Sequence, residues 1–239
     1  MSGSDSGKFM GYERRIVMGQ MVTFKRPDGN DCNGYLASPA GGDKAPGVVV
    51  IQEWWGLNDQ IKGVAERLAT IGYRALVPDL YKGKLALDMA EAKHLMTNLN
   101  FGDAATQDVR GAAQYLKQSS AKVGVVGFCM GGALTVLAAM YVKEANACSS
   151  WYGFPPEQAG DPKAITTPLQ LHLAEKDASF TPDAARVLLA KLKEGKVPFE
   201  SYWYDAGHAF GNEKGQNYNA ECAKLAWERS TEFFAKQLK

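Results

Sequence analysis

Short apolar runs alternate along this chain with stretches of helical periodicity, and that alternation restricts the fold more than any other feature. Residues 47–51 are apolar throughout, as a strand buried on both faces reads. Further strands are expected at 73–78, 122–126, 146–151, 169–173 and 199–204. Helices are expected between them, at about 60–71 with Asp59 as cap, 86–97, 103–118, 130–142 and 182–193, with a terminal one over 217–236. Alternation of this kind implies a mostly parallel central sheet with helices on both faces. Two earlier strands, 21–25 and 33–37, flank the turn signal Arg26-Pro27-Asp28-Gly29 and read as an N-terminal antiparallel edge hairpin.

The chain has 239 residues, which suits one domain of this class. Residues 1–12 are expected to form a flexible N-terminal tail, with one domain from 13 to 239; Gly41-Gly42-Asp43-Lys44 reads as a surface loop. The polar amino end lacks the apolar core of a secretory signal. No apolar run is long enough to span a bilayer. A net charge of +1, without basic runs, gives no field to attract nucleic acid or an anionic membrane. The four cysteines, Cys32, Cys129, Cys148 and Cys222, show no C-x-x-C pairing, and no histidine stands at metal-ligand spacing. The expectation is reduced thiols in a cytoplasmic protein, with no metal and no cofactor.

Sheets of this kind bind ligands beyond the carboxyl ends of their strands. At one such end stands Gly127-Phe128-Cys129-Met130-Gly131, a G-x-C-x-G between a predicted strand and a predicted helix. The serine form of this motif is the nucleophile elbow of α/β-hydrolases. An isolated cysteine reads as a small apolar filler. A cysteine at a strand-to-helix turn reads instead as a nucleophile, since the helix N-terminus favours a thiolate there. The Met130 backbone N–H is then an oxyanion donor.

A nucleophile of this type works with an acid and a histidine, in that chain order. Asp177 follows the 169–173 strand, and His208 follows the 199–204 strand in Asp205-Ala206-Gly207-His208. Glu175 and Asp205 are weaker rivals for the acid. His94 lies in a charged helical stretch and reads as solvated; His172 lies within a strand and reads as core.

Together, Gln52-Glu53-Trp54-Trp55-Gly56, Val77-Pro78-Asp79-Leu80-Tyr81, the Cys129 elbow, the Asp177 loop and Asp205–Phe210 resemble the dienelactone hydrolase (carboxymethylenebutenolidase-like) family, from about residue 20 to the end. The resemblance implies an α/β-hydrolase fold. It implies hydrolysis of a small ester or lactone through a thioacyl intermediate on Cys129, with His208 as base and Asp177 as acid. Glu53 matches a family glutamate that rests against the cysteine until substrate displaces it, and Trp54 is placed to give a second oxyanion N–H. The family's two substrate-carboxylate arginines are missing: Lys82-Gly83-Lys84 follows Tyr81, and Ala209-Phe210-Gly211-Asn212 follows His208. Lysine cannot make the planar bidentate grip, so neutral or aromatic substrates are expected. Trp55, Tyr81, Lys84, Phe128, Trp151 and Phe210 are the candidate pocket residues. Phosphotriester or aryl-ester promiscuity at the same sulfur is an alternative; a non-catalytic binder or redox-sensing thiol is another. The expected assembly is a monomer or homodimer.

Overall fold

The computed structural model describes residues 19–239, so the tail expected at 1–12 lies outside the described residues. Eight strands form one sheet: β1 (Gln20–Lys25), β2 (Asp31–Ala37), β3 (Gly47–Ile51), β4 (Arg74–Pro78), β5 (Val123–Phe128), β6 (Ala147–Trp151), β7 (Leu169–Lys176) and β8 (Phe199–Gly207). Their spatial order is β1-β2-β4-β3-β5-β6-β7-β8. β1 and β2 pair antiparallel, with Phe24 opposite Cys32, and β2 pairs antiparallel with β4; from β4 to β8 every pairing is parallel. The chain therefore has the α/β-hydrolase fold with its N-terminal antiparallel pair at one edge.

The helices are α1 (Asp59–Thr70), α2 (Met89–Thr97), α3 (Phe101–Asp103), α4 (Arg110–Lys117), α5 (Met130–Tyr141), α6 (Pro182–Glu194) and α7 (Ala220–Leu238). A π-helical stretch, Ala104–Val109, joins α3 to α4. β3 shows why its sequence is apolar at every position. Val49 and Ile51 belong to the core under α4 and α5 on one face, while Val48 and Val50 belong to the core under α1 on the other. Successive side chains of a strand point to opposite faces, so a central strand covered on both sides alternates nowhere.

Several boundaries differ from the sequence expectation. Asn58, not Asp59, caps α1, its side chain accepting from the Ile61 N–H. β7 and β8 run on past their apolar stretches to Lys176 and Gly207, because strand pairing is a backbone interaction and continues where the side chains turn polar. Those extra residues bring Asp177 and His208 immediately to the strand ends. The terminal helix begins at Ala220, capped by Asn219.

Arg26, in the hairpin turn, is buried rather than solvated. Its guanidinium reaches Asp28 at 2.6 Å, Asp103 at 3.1 Å and Asp108 at 3.0 Å, pinning the hairpin to the π-helical segment. Burial pushes the Asp108 carboxyl up, and the Arg26 charge opposes that shift. Removing one member of such a pair leaves the other charge buried without compensation. Arg26→Ala should cost about 3–5 kcal/mol in urea unfolding; a loss below about 1 kcal/mol, the range of exposed pairs, would contradict this account.

Candidate active site

β5 passes into α5 through one residue, Cys129, at φ 57 and ψ −118. A non-glycine residue at positive φ is strained by about 1–3 kcal/mol and persists only where its surroundings over-determine it. Here the Cys129 N–H donates to the Trp151 carbonyl at 3.0 Å, and the Cys129 carbonyl accepts from Ala133 at 3.2 Å. The flanking glycines are steric requirements. A Cβ on Gly127 would strike the Gly131 carbonyl, and one on Gly131 would stand 2.5 Å from the carbonyls of Ile51 and Gln52. The side chain of Cys129 makes no hydrogen bond to the first turn of α5, so its sulfur is free for another partner.

That partner is His208, whose Nε2 lies 3.0 Å from Sγ. His208 directly follows β8 and Asp177 directly follows β7, so the parallel pairing of these strands sets the two side chains side by side. Asp177 Oδ1 accepts from the backbone N–H groups of Ser179 and Phe180, at 2.8 and 2.9 Å. Its orientation is thereby locked, and Oδ2 accepts from His208 Nδ1 at 2.8 Å. With Nδ1 committed to the carboxylate, Nε2 is the ring nitrogen that faces sulfur. The ring is held between Phe180, stacked at 5.5 Å, and Tyr152, edge-on at 5.5 Å. Burial works against a charged imidazole here, but the hydrogen bonds and charges of Asp177 and Cys129 outweigh it and raise His208 to about 10.

Glu53, two residues beyond β3, is buried. Its Oε2 accepts from Asn212 Nδ2 at 2.6 Å and its Oε1 from the Tyr152 hydroxyl at 3.2 Å. Burial pushes its carboxyl up, opposed by the two donors and by the His208 charge. Sulfur and glutamate share the wall of one cavity of ≈ 660 Å³. Trp54, Trp55, Met89, Met96 and Phe180 form its apolar side; Ser179, Lys214, Gln216 and Asn217 form the polar side. Among the described residues no cluster of three or more His, Cys, Asp or Glu could hold a metal ion, and no helix is long and apolar enough to cross a membrane.

The dienelactone hydrolase family profile matches residues 32–238. The chain belongs to the dienelactone hydrolase family. It is 36% identical to "Protein usf" of Aquifex pyrophilus over 92% of this chain and all of that protein. It is 31% identical to the carboxymethylenebutenolidase of Pseudomonas putida, over 90% of this chain and 95% of that one. Among solved structures, a dienelactone hydrolase-like promiscuous phosphotriesterase from metagenomic libraries superposes with a TM-score of 0.77 at 25% identity, covering 93% of this chain and 100% of that chain.

Within this family member, Cys129, His208, Asp177, Glu53, Trp54 and Trp55 come together at one rim of the sheet. Met130 begins α5 beside them, so its first-turn N–H has no intrahelical partner. The other pocket candidates do not line this cavity. Phe128 and Trp151 are register partners on β5 and β6, so both side chains share the α1/α7 face. Phe210 stacks on Trp151 in that same core, and Phe128 and Trp151 border a different cavity of ≈ 550 Å³. Tyr81 is buried, its hydroxyl 3.4 Å from the Met130 sulfur. Lys84, like Lys82, is exposed and off the cavity wall.

Glu53 and Cys129 border the same cavity, but no hydrogen bond joins them: the carboxyl is hydrogen-bonded to Asn212 and Tyr152. Sequence reasoning missed Phe180, Met89, Met96, Asn212 and Lys214. Asn212 carried a signal, since it stands in the segment where the expected arginine is missing. His172 is core, held neutral by burial down to about 3; Asp205 is exposed and paired with Lys176.

The geometry predicts an NMR titration. His208 should stay protonated through neutral pH and lose its proton near 10, while His172 stays neutral until about 3. Asp177 raises the His208 value, so Asp177→Asn should lower that midpoint. A wild-type His208 midpoint at the ordinary imidazole value would contradict the arrangement.

Proposed function

We propose that this protein hydrolyses carboxylic esters and lactones through a thioacyl intermediate on Cys129. The observation that carries the reading is the continuous relay from Sγ to Nε2 at 3.0 Å and from Nδ1 to the Asp177 carboxylate at 2.8 Å, opening on a cavity. In the proposed reaction, His208 holds the thiol proton as sulfur attacks the carbonyl carbon. A C–S bond forms and the carbonyl π pair moves to oxygen. The N–H groups of Met130 and Trp54 are the proposed donors to that oxyanion. Collapse breaks the C–O bond, and His208 Nε2 returns the proton to the departing alkoxide, which stays tethered when the substrate is a lactone. Water then attacks the thioester while His208 takes its proton, and a second collapse breaks the C–S bond, releases the acid and returns the sulfur as thiolate beside the protonated His208. Asp177 holds the ring tautomer and stabilises the imidazolium at each stage. No step needs a cofactor.

The substrate reading is a neutral ester with an apolar or aromatic group. Trp54, Trp55, Met89, Met96 and Phe180 offer apolar area, and among the described residues no arginine lines the cavity. Besides His208, Lys214 is a cationic side chain on its wall, and it is exposed, where a single charge contributes little. A second reading is phosphotriester cleavage at the same sulfur, favoured by the likeness to the promiscuous phosphotriesterase. The proposed protein is an intracellular monomer or homodimer acting on small molecules.

Cys129→Ala should lower kcat/KM for p-nitrophenyl esters by on the order of 10³-fold or more, the scale of losing a catalytic triad member. Activity surviving near the wild-type level would reject the mechanism. A neutral ester should outpace its carboxylate-bearing analogue by about tenfold, or ~1.4 kcal/mol; preference for the anion would overturn the substrate reading.

A further inference from the structure

The carboxyl of Glu53 lies within reach of the wall that carries Cys129, yet its hydrogen bonds go elsewhere. Two segments hold it. Tyr152 reaches it from the residue after β6, with its own N–H anchored to the His172 carbonyl at 2.7 Å. Asn212 reaches it from the segment between β8 and α7, and is itself fixed on three sides. Its N–H donates to Ala209 at 3.0 Å, its carbonyl accepts from Gly215 at 2.9 Å, and its Oδ1 accepts from Lys214 at 2.9 Å. With Oδ1 committed to a backbone N–H, the amide presents its Nδ2 to the glutamate. Asn212 is buried, so this contact is not in competition with bulk water.

We infer that Asn212 is a positioning residue: with Tyr152 it holds the Glu53 carboxyl off Cys129, so that the sulfur is committed to His208 before any substrate arrives. An anionic group on the substrate is then unnecessary for freeing the sulfur. This deepens the reading given under Proposed function and rests on it for the task of Cys129.

The electrostatics give the inference its direction. Sulfur is faced by His208 from the end of β8, by Tyr81 from beyond β4 and by Tyr152 from beyond β6, with Asp177 behind the imidazole. Glu53, from beyond β3, is faced by Asn212, Tyr152 and His208. Of these groups, Glu53 is the carboxyl that shares the cavity wall with sulfur and is held by neutral donors alone. Released into the open cavity, the carboxyl loses the burial that disfavours its charge, and a carboxylate beside a thiolate disfavours the ionised sulfur. The anchor also spans two loops of the site, because Glu53 immediately precedes Trp54 and Asn212 lies four residues beyond His208.

The test is the rate of iodoacetamide alkylation of Cys129, followed by peptide mass across a pH series in the full chain. Asn212→Ala should slow it about tenfold or more at neutral pH and move its midpoint upward by about one pH unit. Adding Glu53→Gln to Asn212→Ala should return the rate to within about twofold of wild type, because the released group then carries no charge. A merely structural role for Asn212 would leave the double variant as slow as the single one, and that result would overturn the inference, as would wild-type behaviour in Asn212→Ala. Should Asn212→Ala fail to fold, Tyr152→Phe removes the other donor: an upward midpoint shift supports the inference and an unchanged midpoint overturns it. Ester turnover is followed in parallel. Turnover that survives complete alkylation would sink the nucleophile reading alone, while the alkylation rates still decide the role of Asn212.

Discussion

The backbone strain at Cys129 depends on two glycines and one strand carbonyl, and the rest of the site depends on that strain. Turning the chain from β5 into α5 over one residue lifts the sulfur from the sheet at the helix N-terminus. The turn is possible because Gly127 and Gly131 let β5, α5 and the end of β3 approach within contact of backbone atoms. The Trp151 carbonyl then holds the Cys129 N–H in place. Relaxing the turn would release about 1–3 kcal/mol locally, but it would draw sulfur away from the imidazole and unpack the glycine contacts.

The histidine and aspartate are positioned by a different device. Each directly follows a strand, and β7 and β8 are parallel neighbours, so the ladder itself sets their spacing. Two backbone N–H groups then fix the Asp177 carboxylate. A helix N-terminus contributes about 0.3–2 kcal/mol towards an anion. A hydrogen bond to a charged partner contributes about 1.5–3 kcal/mol. The imidazole is therefore the larger influence on the sulfur and the helix the smaller one. The upward shift of His208 against the effect of its own burial is the same balance seen from the nitrogen side.

Much of this was legible from residue order. Strand periodicity, the G-x-C-x-G spacing and the placement of Asp177 and His208 after strands needed only local pattern, and the parallel sheet follows from the alternation. The pocket was less legible, for a physical reason. Aromatic residues near a motif divide between the two faces of the sheet, and the division follows strand register, which sequence proximity does not reveal. Phe128 is adjacent to Cys129 yet faces the α1/α7 core, while Phe180 and Met96, distant along the chain, line the cavity. Arg26 was equally hidden: its turn signal was plain, but its burial depends on Asp103 and Asp108, far along the chain. The partner of Glu53 required knowing where the segment after His208 folds back, which no local pattern encodes.

The account stands on sulfur being the atom that takes the acyl group. The most direct measurement mixes enzyme with a slowly deacylating ester, quenches in acid and locates the added mass by peptide analysis. The account predicts one acyl group, labile to hydroxylamine, on the peptide that contains Cys129. An acyl group on another residue, or steady turnover during which that peptide never gains mass, would contradict it.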